Sequence, residues 1–480
     1  MNVVFIQPPK FNERALQMDP LTPRCNGIPS KAPYLRPPIG LAYIAAYVRE
    51  TTNANCTIID AQAEGLSLKE TAARAIKADI AIISTSTPTI KRDIALCKAI
   101  KESNREVKTA LIGTHASYFH KELIKNECVD FIIRGEAEFP VRKLLEADEN
   151  FGQVPGLTWK KGARVRVNED SVPIKNLDSL PFAARDLLDY EKYYDILIKG
   201  KKLDFVISSR GCPFNCKFCA SKAYSKEYRE RSAENVIREV REIAELGHDD
   251  ITFFDDTFTV NRKRVIKICE GIKELNINWR CLSRIDTVDK ELLEKMYESG
   301  CYQIEFGVES GSQRMLDLMG KGYKLENIKK VFKIANDIGL ETVAFFILGY
   351  PGETRKSILK TIKLAKELNP DFASFNIFEP RPGSPIFDNF KHRGNWENYN
   401  FGQLSFCEIP QTELREYMKK AYVEFYLRPG YVFQRVKKVG VRHTLIQNLK
   451  FWFAREGTLW DKIVERIKGG NMRDGSNSHT

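Results

Sequence analysis

Short apolar runs alternate with helical patterns through the first 150 residues. Residues 3–6, 56–60, 80–84, 109–112 and 131–133 read as strands, and 41–49, 68–77, 90–100 and 137–147 carry helical spacing between them. Five β/α alternations predict an α/β fold that opens with a parallel, doubly wound, Rossmann-like sheet. Ligands of such sheets bind at the carboxyl ends of the strands, which singles out the loops "STSTPT" (84–89), "GTHAS" (113–117) and "RGEAE" (134–138). Residues 151–200 differ in kind: "GLTWKKGARVRVN" predicts a hairpin turning at Lys161-Gly162, followed by a Pro-punctuated, Tyr-rich connector that packs between domains.

From residue 203 the alternation resumes with longer repeats, with strands expected at 203–208, 251–254, 279–282, 303–308, 342–348 and 372–378 and a helix such as 233–246 between each pair. Six β/α units are too few for the eight-stranded barrel, so a (β/α)6 partial barrel is expected over 201–385. After Pro385 the pattern is helical and aromatic to residue 468, with Leu445, Leu449, Trp452 and Phe453 at i, i+4, i+7 and i+8. The last stretch, 469–480, reads as a disordered tail. The expected organisation is therefore 1–150, a linker over 151–200, 201–385, 386–468 and the tail.

Composition changes this picture in two places. The chain of 480 residues is 43% hydrophobic, enough for two or three cores. No basic segment precedes the apolar run of "MNVVFIQPPK", and no stretch reaches the roughly 18 apolar residues of a membrane span, so a cytoplasmic protein is expected. Net charge is +12, and residues 411–480 hold 14 Lys+Arg against 7 Asp+Glu, which concentrates the basic character in the C-terminal region. Eight of the eleven cysteines (Cys25, Cys56, Cys97, Cys128, Cys269, Cys281, Cys301 and Cys407) stand singly and read as small buried hydrophobes. The other three, Cys212, Cys216 and Cys219, crowd into "SRGCPFNCKFCASK".

Thiolates at this density in a reducing compartment hold metal. Zinc favours two separated cysteine pairs or a completing histidine, and neither is present, since His248 is almost thirty residues away. Three cysteines in a short loop suit a 4Fe-4S cluster with one iron left open.

A C-x3-C-x2-C directly after the first strand of a partial barrel, with Phe218 before the last cysteine, resembles the radical S-adenosylmethionine superfamily. The resemblance implies an oxygen-sensitive, anaerobic enzyme whose open iron chelates S-adenosylmethionine and whose cluster reduces it to a 5′-deoxyadenosyl radical. It implies an electron donor such as flavodoxin or ferredoxin. It also implies roles by position: Asp255 and Asp256 near the methionyl amine, Glu309 and Ser310 near the ribose or carboxylate, and Gly349 in "FFILGYPGET" beside the adenine. Arg284 either meets the carboxylate or forms a surface ion pair.

The first domain lacks G-x-G-x-x-G and resembles the cobalamin-binding domain that precedes many such barrels, through "RPPIGLAYIAAYVRE", "GTHAS" and "FIIRGEAE". That resemblance implies corrin contacts at Ser84, Ser86, Gly113, Thr114, Gly135 and Glu136; His115 is either a contact or a solvated loop histidine. No D-x-H-x-x-G is present, so cobalt would have no histidine below it, and a domain without ligand stays as the alternative.

Two reactions follow from the resemblance. Class B radical methyltransferases methylate an unactivated carbon of a small-molecule or lipid-like substrate. Proteins like the anaerobic magnesium-protoporphyrin ester cyclase carry out oxidative cyclisation or carbon–carbon bond formation on a tetrapyrrole or lipid. RNA modification is disfavoured, because a second three-cysteine cluster and a C-terminal β-barrel are missing. The basic, aromatic C-terminal region either packs on the barrel or covers a lipid-like substrate, with peripheral membrane contact.

Overall fold

Strand Asn2–Gln7 is buried from Val3 onward and pairs in parallel on both sides, with Asn55–Asp60 and with Ile80–Ser84. A strand buried on both faces reads as the continuous apolar run seen here. Lys108–Ile112 and Phe131–Ile133 continue the parallel sheet, so the order of its five parallel strands is 2-1-3-4-5, with the switch point between the first and third. The computed structural model describes residues 1–10, 34–162, 164–195, 197–394, 396 and 403–439.

The hairpin expected in the connector belongs to this sheet. Leu157–Lys161 pairs antiparallel with Phe131–Ile133, and Arg164–Val167 pairs with Leu157–Lys161. The sheet thus runs past residue 150. Periodicity marks a hairpin, but not which edge it joins.

The second sheet has six parallel strands in chain order: Leu203–Val206, Asp250–Phe253, Asn278–Ser283, Cys301–Glu309, Glu341–Leu348 and Phe372–Ile377. Alternation divides their side chains. Ile251, Phe253, Trp279, Cys281, Ile304, Phe306, Ala344 and Phe346 pack outward into one core with helices Ala233–Glu245, Arg262–Ile272, Lys290–Glu298, Leu325–Ile338 and Arg355–Leu368. The residues between them face the lumen. Its floor is plugged by a short ladder of Tyr34–Leu35 and Tyr194–Asp195, whose Asp195 accepts from Arg280 at 2.6 Å and Arg36 at 3.1 Å.

A six-stranded sheet curved into part of a barrel has two edges, and each is covered differently. Helix Ile39–Thr51 of the first domain lies against the first strand: Ile39 and Tyr43 share a core with Leu203, Phe205 and Ile207. Beneath it, Arg185, Asp204, Glu239, Arg231 and the Tyr43 hydroxyl form a buried network. Helix Gln411–Tyr426 takes the place of a next strand at the other edge. The Tyr422 hydroxyl donates to Phe375 O and accepts from its N–H, the Tyr426 hydroxyl does the same at Ala373, and Tyr431 donates to Asp371 O.

Helix Pro429–Val439 follows. The apolar face expected at Leu445, Leu449, Trp452 and Phe453 and the tail at 469–480 lie outside the described residues, as does Cys25. Cys56, Cys97, Cys269, Cys281 and Cys301 are buried and Cys128 and Cys407 half-buried, all as free thiols. Among the described residues no helix is long and apolar enough to cross a membrane.

Candidate functional site

The three clustered cysteines sit on a loop, residues 211–228, that leaves the barrel after its first strand and returns beside its own start. Ser209 and Arg210 pair antiparallel with Glu230 and Arg229 and close the neck. At the neck Gly211 holds φ +76°, and a Cβ there would stand 2.5 Å from Glu227 O, so the closure requires glycine. Further along, Lys217 N–H donates to Met319 O at 2.9 Å and Ile386 N–H to Lys217 O at 3.1 Å, which pins the loop to the barrel mouth.

Each sulfur has a donor in reach. Cys219 Sγ accepts from Ser221 N–H at 3.4 Å, Cys216 Sγ from Arg284 Nη1 at 3.2 Å, and Cys212 Sγ lies 3.7 Å from Thr257 Oγ1. Burial raises the Cys212 thiol and pushes Cys219 up to about 12, where Asp256 and the neighbouring thiols add to the effect. Burial and the neighbouring thiols disfavour free thiolates at Cys212 and Cys219, and bound iron would deprotonate and neutralise such ligands, so the chemistry of the donor set fits a metal cluster. Cys212, Cys216 and Cys219 would hold a 4Fe-4S cluster.

Around the loop the structure sorts the other expected residues. Both oxygens of Asp255 are taken by residues just past the first strand, from Ser208 N–H at 2.7 Å, Ser208 Oγ at 2.6 Å and Ser209 Oγ at 2.7 Å, so Asp255 clasps the exit of the first strand to that of the second. Asp256 is on the cysteine side and accepts from Ser221 Oγ. Arg284 is no surface ion pair: it is buried, stacks 3.7 Å from the centre of the Phe214 ring, is held by Asp286 and Lys321 O, and turns Nη1 to Cys216.

Glu309 ends the fourth strand at φ +66°, a backbone region uncommon for a non-glycine residue, and accepts from buried Lys321 at 3.1 Å. Ser310 turns the other way, into contact with Thr361 Oγ1 at 3.2 Å and Ser312 N–H, away from the lumen. Gly349, at φ +79°, is where Leu414 of the C-terminal helix comes closest: a Cβ would lie 2.7 Å from Leu414 Cδ1. Phe218 packs against Met315, Met319, Tyr350 and Phe378. Lys321 escapes sequence reasoning, although its signal is present: "GKG" places it between two glycines of positive φ.

In the first domain the carboxyl strand ends form a pocket at the switch point, lined by Gln7, Pro8, Gln62, Ser84, Thr85, Ser86 and Thr89. Ser84 faces it directly, whereas Ser86 Oγ is bonded to Thr89 Oγ1 at 2.7 Å, which in turn donates to Asp93. Gly113 and Thr114 open the short helix Thr114–Tyr118. His115 is not solvated: it is fully buried, its Nδ1 lies 3.0 Å from Thr87 Oγ1, and burial lowers it to about 3, so the imidazole is neutral. Its Nε2 is buried without a partner. Gly135 has open space on its Cβ side, and its N–H donates to Ser117 Oγ. An orphaned imidazole nitrogen and a glycine with open space beside it, on loops at the carboxyl strand ends, fit a cofactor laid over this edge.

Glu136 does not join them. Its carboxylate is held by Arg210 at 3.1 Å, by Arg229 and by Ser225 Oγ at 3.1 Å, all in the barrel domain. The first domain's loops therefore face the cysteine loop.

The model of the radical SAM superfamily matches residues 206–365 and that of the B12 binding domain residues 27–145. An uncharacterised methyltransferase of Pyrococcus horikoshii is 36% identical over 412 residues, covering 82% of this chain and 88% of that one. The anaerobic magnesium-protoporphyrin IX monomethyl ester cyclase of Rubrivivax gelatinosus is 28% identical over 423 residues, 81% of this chain and 75% of that one. The fold is shared with the cobalamin-dependent S-adenosylmethionine radical enzyme OxsB, solved with aqua-cobalamin and S-adenosylmethionine, at TM-score 0.68 and 14% identity over 99% of this chain and 82% of that one. Together with the cysteine loop, these matches place the chain in the cobalamin-dependent radical S-adenosylmethionine family, as an enzyme of its methyltransferase kind that uses a 4Fe-4S cluster, S-adenosylmethionine and cobalamin.

Proposed function

We propose that the enzyme methylates an unactivated carbon of an apolar small molecule or lipid-like substrate held at the barrel mouth. The observation that carries this reading is the confrontation of two sets of carboxyl strand ends. Tyr118, just after the fourth strand of the first domain, stacks edge-on against Phe387 at 5.2 Å and donates to Asp388 at 2.9 Å, beyond the sixth barrel strand. Two parallel sheets binding ligands at their carboxyl ends thus direct both toward one space.

An apolar cluster adjoins the meeting point of the two domains. Tyr350, Phe378 and Phe406 meet edge to face in sequence at 4.8 and 6.0 Å, with Met315, Met319 and Phe218 in the same cluster. Such a wall excludes water and favours a substrate carbon without acidity or nucleophilicity. When bound, the cluster supplies the electron that cleaves S-adenosylmethionine, and cobalamin supplies the methyl group. Asp256 would offer a carboxylate to the methionyl amine, and Glu309, anchored by Lys321, would meet the ribose or carboxylate. Leu427 and Phe433, exposed at 59% and 72% near Lys437, support a lipid-like substrate or contact with a membrane surface.

Reconstituted enzyme with hydroxocobalamin and a low-potential reductant, given an anaerobic cell extract as substrate pool, should form S-adenosylhomocysteine and 5′-deoxyadenosine in equal, extract-dependent amounts. One S-adenosylmethionine would donate the methyl group and leave as S-adenosylhomocysteine; a second, cleaved by one electron from the reductant to methionine and a 5′-deoxyadenosyl radical, would take the substrate hydrogen and leave as 5′-deoxyadenosine. Extract-dependent 5′-deoxyadenosine without S-adenosylhomocysteine would replace methylation by cyclisation or oxidation.

A further inference from the structure

The neck of the cysteine loop is closed by two arginines, and neither is neutralised from within the barrel domain. Arg210 and Arg229 are cross-strand partners, both buried, and Arg210 is two residues from Cys212. Their counter-charges come from one short segment of the other domain. Glu136 binds both arginines, Glu138 binds Arg210, and Ser225 Oγ joins Glu136 to Arg229. Withdrawing that segment would leave two like charges side by side without a counter-charge, an unfavourable arrangement in a buried site. The closed neck therefore depends on the first domain's loop being in place.

The same segment faces the other way as well. Gly135, directly before Glu136, has an open Cβ side and is tied through Ser117 Oγ to the "GTHAS" segment that carries His115. We infer that the Gly135–Glu138 segment is a positioning device that couples the two cofactor sites, so that cobalamin over the strand ends and a cluster in the loop each strengthen the binding of the other. Such coupling is reciprocal by thermodynamic necessity. It requires no bond between the cofactors, only that both favour one placement of Glu136.

The test is hydroxocobalamin affinity, by anaerobic equilibrium dialysis, of full-length protein with and without its cluster. Wild-type protein should bind at least about fivefold more tightly when the cluster is present. In Glu136→Gln, which keeps shape and removes the shared charge, the two affinities should become equal while both forms still bind. With reductant in excess, so that the added hydroxocobalamin is itself reduced and the cluster stays reduced, its binding should shift the electron paramagnetic resonance signal of the cluster in wild type and leave it unmoved in the variant, a change that mere loss of stability would not produce. If Glu136→Gln is insoluble, Arg229→Lys, which keeps the charge but loses the two-pronged contact, should lower the ratio in the same direction. Equal affinities in wild type, or an unchanged ratio in both variants, would overturn the coupling. Because only binding is read, the outcome is independent of whether the transferred group is methyl.

Discussion

Glu353 shows how far one buried carboxyl departs from its exposed behaviour. It lies 3% exposed after "GYPG", and burial raises it to about 7 against the Ser357 hydroxyl, the Gly349 and Thr354 amides and Arg314. A carboxyl whose folded value exceeds its unfolded one binds more protons in the native state. Stability should then fall as pH rises from about 4.5 to 7 and level off above, by on the order of 3 kcal/mol. Glu353→Gln keeps an acceptor for Ser357 and has no charge to bury, so its melting temperature should gain on wild type progressively from pH 5 to 8; parallel profiles would refute the assignment. Residue-scale chemistry is legible in the sequence where a motif concentrates it, as at Cys212, Cys216 and Cys219. It is not legible where neighbours of one type turn opposite ways. Asp255 and Asp256 diverge, and so do Glu309 and Ser310, because successive side chains at a strand end point to opposite sides. A string of letters does not say which of each pair faces the lumen.

At the scale of elements the alternation of apolar runs predicts every parallel strand to within a residue or two, because burial on both faces leaves a mark that needs no partner to be recognised. The closure of the barrel's edge leaves no such mark. Tyr422 and Tyr426 are one helical turn apart, a rise of about 6 Å, while Ala373 and Phe375 are about 6.6 Å apart along the strand. That near match lets one helix face satisfy both the N–H and the C=O of two edge residues. An exposed edge otherwise invites pairing with another chain. Removing one hydroxyl strands a buried donor and acceptor together, so Tyr426→Phe should cost about 1–3 kcal/mol in urea unfolding with the slope unchanged. The same substitution at Tyr297, an exposed tyrosine, should cost nothing measurable. A Tyr426→Phe protein as stable as wild type would mean that the edge finds other partners.

Across the whole molecule, the two domains meet through charge as much as through apolar packing. Arg185 reaches from the connector to Asp204 at 2.9 Å and Glu239 at 2.8 Å, while Arg231 and Tyr43 close on the same Glu239 from the neck and from helix Ile39–Thr51. Burial alone would raise Glu239, but Arg231 and Arg185 outweigh it and hold the carboxyl at about 2. A depressed carboxyl contributes stability that is complete above its unfolded value near 4.5 and is lost as pH falls toward 2. Glu239→Gln removes the shared anion from between two buried arginines and should destabilise the protein by about 3–5 kcal/mol at pH 7. Its deficit relative to wild type should shrink below pH 4, where wild type loses the same charge. The network also predicts where the damage appears. Glu239 ties helix Ala233–Glu245 to Tyr43 of the first domain and, through Arg185, to Asp204 of the barrel's first strand, whereas Glu136 holds the neck of the cysteine loop, so weakening either should loosen the docking on which both facing sites depend. Hydrogen exchange should report this directly: in Glu239→Gln, amides of helix Ile39–Thr51 and of the neck residues 209–210 and 229–230 should exchange faster together, while the outward core around Phe306 and Phe346 stays protected. Faster exchange confined to helix Ala233–Glu245 would show that the charge serves its own helix and not the union of the domains.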